Sequence, residues 1–467
     1  MKAVRYVGQK GCKDEAYQSA LTANDSVVVS TLPRGGNVTL RFEMDGKPLE
    51  IALDKTRRDF LDLATCVYVL DELLLREKTP NYWTRAFDVI FPVNEPAQWD
   101  AVGRALESML WTLAGDEYKF AFPLTTALQP LGSHRQHLPR GYDAVCLFSG
   151  GMDSLLGAHK LLAEGKRVLL VGHQADGTAA SAQTELAARL TTMFPPVNRL
   201  PRLRLIQCRA ARSMAESQRF PLPEKCEETH RPRSLLFLSL AIAVAGVTRI
   251  KEIYMPENGL IALNPVLQKS RLGTSSTRTA HPLFLSKFAD VAQGLGVFDG
   301  AIKNPFLFMS KTDMLSPETV DPKLKPLLER SVSCARASRY KDKGVRHCGY
   351  CVPCLYRRAS MMELGLDDPD HYAFDVFCGL ADMSALTQLD FRALVSFAKS
   401  VVASTAVQRE AMLLSHGAFS PSMGGRFGPH ATEDYSIWSE MLLRWATDFM
   451  TKVQQLSSGS TKKILAA

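Results

Sequence analysis

Nothing in this 467-residue sequence stays apolar for long enough to cross a bilayer. The longest apolar run, Leu235 to Val247, is broken at Ser239 and falls short of the ~20 residues a spanning helix needs, so it reads as a buried helix. The first residues, Met1-Lys2-Ala3-Val4-Arg5, lack the continuous apolar core of a secretory signal, and a cytoplasmic protein is expected. Glycine (30) and proline (25) show neither excess nor period, which excludes collagen-like and low-complexity architecture. Ten cysteines do not suggest a disulfide framework in a chain this long, and six of them (Cys12, Cys66, Cys146, Cys208, Cys226 and Cys378) are scattered. No charge sign dominates: 56 basic residues against 48 acidic leave +8, with local basic clusters at 199–212 and 323–346. Such a balance suits an anionic ligand, nucleotide or RNA, although a solvated face explains most surface charge.

A hydrophobic content of 46% with 22% charged residues excludes wholesale disorder, and the length suggests about three domains. Residues 1–122 read as a mixed α/β module. Val38 to Glu43 alternates apolar and polar, Asp45-Gly46 offers a tight turn, and Leu49 to Leu53 follows, which is a hairpin signal. Phe60, Ala64, Val67, Leu70 and Leu74 recur at helical spacing. A strand at 86–91 and a helix carrying Trp99, Val102, Leu106, Leu110 and Leu113 complete the module. Residues 123–141 are rich in proline, glycine and polar residues and read as a linker. Beyond it, short and almost wholly apolar strands (144–148, 167–171, 203–206) alternate with helices. That pattern predicts a doubly wound α/β domain whose parallel sheet is covered on both faces and binds ligands beyond the carboxyl ends of its strands. From about Cys354 the chain reads as helical, with stripes Phe391, Leu394, Val395, Ala398, Val402 and Trp438, Leu442, Trp445, Phe449. A loop at 417–429 separates the stripes, and a frayed tail is expected from Ser457.

The most informative segment is Ser149-Gly150-Gly151-Met152-Asp153-Ser154, between the first strand of the sheet and a helix. Adjacent glycines let backbone approach a phosphate closely, and the free amides and dipole of a helix start favour an anion. Ser149 and Ser154 add hydroxyl donors. Asp153 makes sense if magnesium accompanies the phosphate or if it orients the loop. The lysine of a Walker A loop is absent, so charge neutralisation must come from magnesium and a distant Lys or Arg. The plainer reading is a capped strand-to-helix turn. The whole hexapeptide in this setting favours the functional one, since it resembles the SGGxDS signature of the PP-loop ATP pyrophosphatases. That resemblance implies ATP binding by residues 149–154 and cleavage between the α and β phosphates.

Cys348-Gly349-Tyr350-Cys351-Val352-Pro353-Cys354, with Cys334 upstream, is a second constellation. Four thiolates on tight C-x-x-C turns suit tetrahedral zinc with no open position, hence a structural site. An iron–sulfur cluster is the competing occupant, and a redox or sulfur-transfer pair is weaker.

The phosphate loop followed by this tetrad resembles the QueC family, the 7-cyano-7-deazaguanine synthases, over about residues 141–360. Arg231-Pro232-Arg233 leading into an apolar helix resembles the family's arginine-containing turn. Asn304-Pro305-Phe306 with Ser310-Lys311-Thr312-Asp313 resembles its later Ser/Thr-Lys segment. On this reading residues 142–360 form the PP-loop domain with the four-cysteine site, and 361–467 a helical extension. The segment from Glu257-Asn258-Gly259 to His281-Pro282 departs from the family's usual substrate region, and the stand-alone enzymes are much shorter. The whole chain looks more like the long QueC-like proteins of bacterial anti-phage systems, of the QatC and CBASS-associated kinds. That implies adenylation of a deazaguanine-type carboxylate followed by attack of an amine, with a partner protein of the same operon as acceptor.

Adenylation is needed because oxide is a poor leaving group, whereas AMP leaves readily from a mixed anhydride. Nitrile formation with ammonia, as in queuosine biosynthesis, is the alternative outcome. The protein's part is positioning and charge stabilisation. Asp153, Ser154 and Lys311 are the expected catalytic residues, with Lys311 the cation on the phosphates and Arg231 or Arg233 next. Arg278 and His281 are candidate substrate contacts, and Cys146 and Cys208 are assigned to the core. ATP, magnesium and zinc are the expected cofactors. A tRNA-modifying PP-loop enzyme and a nucleotide-sensing scaffold are rival readings. Nucleic acid is not the favoured partner, because obvious base-stacking aromatics are absent among the basic residues, which argues mildly against it.

Overall fold

The structure is a computed structural model that describes residues 2–7, 26–31, 36–125, 138–213, 227, 231–265, 278–316, 320–415 and 435–466. The chain begins with strands β1 (Lys2–Val7) and β2 (Ser26–Ser30), then the hairpin β3 (Val38–Met44) and β4 (Lys47–Leu49). Helix α1 (Lys55–Leu73), strand β5 (Ala86–Ile90), helix α2 (Pro96–Ala114) and strand β6 (Glu117–Ala121) follow. Strands β2, β1, β5 and β6 lie in that order in a small all-parallel sheet. The turn at Asp45-Gly46 forms as the sequence suggests, both residues having positive φ (50° and 77°), as a two-residue hairpin turn of this kind demands. Its second strand ends at Leu49 rather than running to Leu53. The hairpin also leaves the small sheet altogether.

Its destination is the large sheet. That sheet is built from β7 (Ala144–Leu147), α3 (Met152–Ala163), β8 (Val168–His173), α4 (Gly177–Met193), β9 (Leu203–Arg212), α5 (Arg233–Thr248) and β10 (Glu252–Tyr254). Helices α6 (Gly259–Leu263) and α7 (Pro282–Gly294) lead to β11 (Ala301–Lys303). The strand order is β11-β10-β7-β8-β9-β3-β4; the first five strands are parallel, and β3 runs antiparallel to β9 with Met44 opposite Ile206. The hairpin thus covers the long edge of β9, which would otherwise offer unpaired backbone groups. Every residue of β7 and β8 is buried, the signature of strands covered on both faces. The mostly parallel α/β architecture read from the sequence is therefore the one present. The chain leaves β7 toward β8 and β9, then returns to β10 on the other flank of β7, so the crevice beyond the carboxyl ends of β7 and β10 is the topological switch point.

The remainder is helical: α8 (Lys325–Arg330), α9 (Val352–Glu363), α10 (Ala385–Ala403), α11 (Ala406–Ser415), α12 (Tyr435–Leu456) and α13 (Gly459–Ala466). Both apolar stripes are buried except for Val402, which is 45% exposed at the end of α10. The tail expected to fray instead forms α13. There Thr461 is fully buried and Ser458 N donates to Phe377 O at 2.9 Å, contacts that a short polar-looking sequence does not advertise. Helix α1 packs on α5 and α2 on α7, joining the N-terminal elements to the central sheet in one apolar core. Cys66, Cys146 and Cys208 are buried and Cys378 is exposed. Cys12, Cys226, most of the 123–141 linker and the 417–429 loop lie outside the described residues. Among the described residues no helix is long and apolar enough to cross a membrane.

Candidate active site

The chain leaves β7 through buried Phe148 and exposes Ser149 at the mouth of the crevice. Gly150 has φ +81°, and a Cβ there would sit 3.1 Å from both Ala182 Cβ and Gln183 N, so α4 closes the space a side chain would need. Gly150 O accepts from Val332 N at 2.9 Å, which pins the turn from behind. Gly151 (φ −84°, ψ 170°) occupies the position before α3, and no side chain caps that helix. Instead Gly151 N donates to Ser149 Oγ and Met152 N to Ser333 Oγ, each at 3.3 Å. Ser154 Oγ donates to Gly151 O at 2.9 Å and lies 3.2 Å from Ser149 Oγ. Long bonds to swivelling hydroxyls leave these amides available to a stronger acceptor. A helix N-terminus arranged this way is suited to an anion such as phosphate.

Asp153 turns inward, where it is buried. Its Oδ2 accepts from Asn258 N at 3.0 Å and Asn258 Nδ2 at 2.6 Å. Its Oδ1 makes no hydrogen bond of good angle but lies 2.6 Å from Lys311 Nζ, a close ion pair. Asn258 in turn caps α6, its Oδ1 accepting from Leu260 N and Ile261 N. Asp153 therefore ties the start of α3 to the residues after β10 and to Lys311; its oxygens are engaged by protein groups. Lys311 sits on a short turn locked by reciprocal bonds, Ser310 N to Asp313 Oδ2 at 2.8 Å and Asp313 N to Ser310 Oγ at 3.1 Å. Helix α12 braces that turn: Thr312 Oγ1 donates to Asp448 Oδ2 at 3.2 Å, and Arg444 lies 3.6 Å from Asp313.

The structure separates the other four candidates. Arg233, at the start of α5, lines the cleft with Ser149, Ser154 and Glu257, its guanidinium 5.3 Å from the Phe237 ring. Arg231, two residues earlier, faces the N-terminal elements. Its N donates to Asp71 Oδ2 and its Nη1 to Ala114 O, and it stacks over Trp83. Burial, and then the nearby charge of Arg76, lower its pKa to about 10. Asp71 and Asp116 there form a buried network with Arg76 and Arg85, a packing role rather than a place at the cleft. Arg278 reaches Thr112 O at 3.4 Å, also away from the turn. His281 is fully buried and caps α7, its Nδ1 accepting from Leu283 N; burial first, and Arg278 second, lower its pKa to about 3. Asn258 and Glu257 were missed by sequence reasoning, since an Asx cap and a lone Glu in a loop carry no motif.

The four cysteines converge. The Sγ atoms of Cys334, Cys348, Cys351 and Cys354 all lie within 4.8 Å of one another, with Cys348 and Cys354 3.8 Å apart. Backbone N–H groups of Arg336 and Cys348 donate to Cys334 Sγ, and that of Cys351 to Cys348 Sγ, each at 3.3 Å. Such bonds stabilise thiolate. Gly349 has φ +84°, and a Cβ there would lie 2.0 Å from Phe374 O, so only glycine fits the knuckle. Four thiols this close, three of them buried and two accepting from backbone amides, form a cluster that could hold a metal ion. The described residues thus define an α/β protein with a phosphate-loop-type turn at its switch point and a four-cysteine cluster beside it.

No family model matches the chain. It is similar to 7-cyano-7-deazaguanine synthases, which supports a QueC-like relationship for about half of its length and, with it, a PP-loop α/β fold. The protein of that name from Leptospira interrogans is 25% identical over 236 residues, 48% of this chain and 88% of that protein. The one from Psychrobacter cryohalolentis is 26% identical over 274 residues (54% and 98%), and the one from Methanococcus aeolicus 22% over 248 (49% and 98%). None of these names carries an anti-phage role.

Proposed function

We propose that this protein is an ATP-dependent synthase that activates a 7-carboxy-7-deazaguanine-like acid as its adenylate and converts it with ammonia to the amide and, by a second activation, to the nitrile. The observation that carries this reading is the open turn at Ser149–Ser154 placed at the switch point with Lys311 held beside it, in a chain similar to 7-cyano-7-deazaguanine synthases. This is the nitrile-forming alternative. Nothing in the comparisons or the site points to a protein acceptor or to anti-phage conjugation, so that expectation loses its support.

In this reading the amides of Gly151 and Met152 and the hydroxyls of Ser149 and Ser154 exchange their internal bonds for oxygens of the leaving pyrophosphate. Magnesium arrives with ATP as part of the substrate. Asp153 does not serve as its ligand; it positions Lys311, whose ammonium offsets the charge that develops on the phosphates. Arg233, which lines the same cleft as Ser149 and Ser154, is placed to meet the reacting carboxylate or the α-phosphate. Arg231, Arg278 and His281 hold the surrounding framework.

The cysteine cluster fits zinc. Bonds of ~2.3 Å in a tetrahedron put sulfurs ~3.8 Å apart, which matches the Cys348–Cys354 separation. A four-iron cluster needs iron and sulfide between its cysteines and would spread them further. With four protein ligands the zinc supplies no catalytic position. It would anchor the chain at Cys334, directly after Ser333, which meets Met152 N, and Val332, which backs Gly150.

The test is pyrophosphate–ATP exchange in the presence of the acid, followed by mass spectrometry of the product with ammonia. Acid-dependent exchange and a product lighter than the acid by the mass change of carboxylate to nitrile are expected. Exchange without dependence on the acid would remove the assignment.

A further inference from the structure

We propose that Glu257 is the proton acceptor for the amine that attacks the adenylate, an inference that rests on the synthase reading above. Among the described residues that line the cleft, Glu257 carries the only carboxylate. Its backbone is held by both ends of one side-chain amide: its N donates to Asn304 Oδ1 at 3.2 Å, and its O accepts from Asn304 Nδ2 at 2.8 Å. The neighbouring Asn258 is held by Asp153. Pro256, just before it, presses on α3 at Gly157, where a Cβ would lie 2.2 Å from Pro256 Cγ. The side chain, by contrast, makes no hydrogen bond or ion pair among the described residues. A rigidly mounted but unpartnered carboxylate beside Ser149, Ser154 and Arg233 is poised for chemistry rather than for structure.

The charged and titratable groups around it are Asp153 from α3, Lys311 from the following turn, Arg233 from α5 and His173 from β8. Asp153 and Lys311 are paired to each other, and His173 Nε2 lies 3.0 Å from Ala210 O. None of them is as available to take a proton. Burial raises the Glu257 pKa to about 8, with the Asp153 charge adding to this and Lys311 and Arg233 opposing it. That proton affinity suits the task.

Near neutral pH ammonia is mostly ammonium, which has no lone pair. The Glu257 carboxylate takes one proton, the freed lone pair forms the C–N bond to the acyl carbon, and the C–O bond to AMP breaks with its electron pair leaving on AMP. The remaining surplus proton passes to solvent as the amide forms, and Glu257 later releases its own.

The test uses the full chain and the variant Glu257→Gln. Acid-dependent pyrophosphate exchange reads adenylation, amide formation from ammonia reads the complete step, and hydroxylamine supplies an amine that is already neutral at pH 7. The expected result is a loss of ammonia-dependent product on the order of 10²-fold greater than any loss of exchange. Most of that gap should disappear with hydroxylamine. Product formation that falls only in step with exchange, or equally with both amines, would overturn the assignment to Glu257. Absence of exchange in the unaltered protein would instead bring down the synthase reading, and this inference with it.

Discussion

Replacing Asn258 separates anchoring from helix capping at the centre of the site. Asn258 makes two kinds of contact: Nδ2 donates to buried Asp153 at 2.6 Å, and Oδ1 caps α6. Asn258→Asp keeps the cap, since a carboxylate accepts from Leu260 N and Ile261 N equally well. It replaces the donor to Asp153 with a second carboxylate. Loss of a hydrogen bond to a buried charge costs ~1.5–3 kcal/mol, and repulsion adds to that unless one of the pair is protonated. Each unit by which the pair's affinity for a proton rises corresponds to ~1.4 kcal/mol. The folded-state pKa of the introduced pair is thus raised above its unfolded value. Such a group favours the folded state below its unfolded pKa, and that contribution is lost as pH rises through the folded one. The deficit against the unaltered protein should therefore be about 3 kcal/mol or more at pH 8 and shrink to ~1 kcal/mol near pH 5. Urea unfolding followed by tryptophan fluorescence at the two pH values measures it. An equal deficit at both, or none at pH 8, would refute the anchoring argument.

Gly150→Ala combines a positive φ, costing ~1 kcal/mol for an L-residue, with contacts at 3.1 Å to α4, and should abolish most pyrophosphate exchange while the thermal midpoint falls only a few degrees. Gly349→Ala meets Phe374 O at 2.0 Å and should cut bound metal well below one equivalent by elemental analysis, as should chelation of the unaltered protein. Arg231→Ala and Arg233→Ala should part company. The first removes a buried guanidinium that donates to Ala114 O and stacks over Trp83, and lowers stability by ~1–3 kcal/mol; the second lowers exchange with little change in the unfolding midpoint. Asp448→Ala removes the brace on the Lys311 turn and should lower kcat several-fold more than it raises the KM for ATP.

The parallel sheet was legible because Ala144–Leu147 and Val168–Val171 are apolar along their whole length, a pattern few other folds require. The turn and the cysteine cluster were legible because phosphate and metal binding impose local spacing. What stayed hidden was set by partners distant in sequence. Alternation in Val38–Met44 fits either sheet, and only the uncovered edge of β9 decides between them. Arg231 and Arg233 look equivalent in sequence, yet two residues at the entry to α5 turn them to opposite sides. Asp153 read as a candidate magnesium partner because its partners, Asn258 and Lys311, lie more than a hundred residues away.

The central claim is that the triphosphate of ATP lies in the turn between β7 and α3. The most direct measurement is a crystal structure with α,β-methylene ATP and magnesium. The account predicts phosphate oxygens within hydrogen-bonding distance of the Gly151 and Met152 amides and the Ser154 hydroxyl, with Ser333 displaced from Met152. A nucleotide bound elsewhere, with those internal hydroxyl bonds intact, would contradict it.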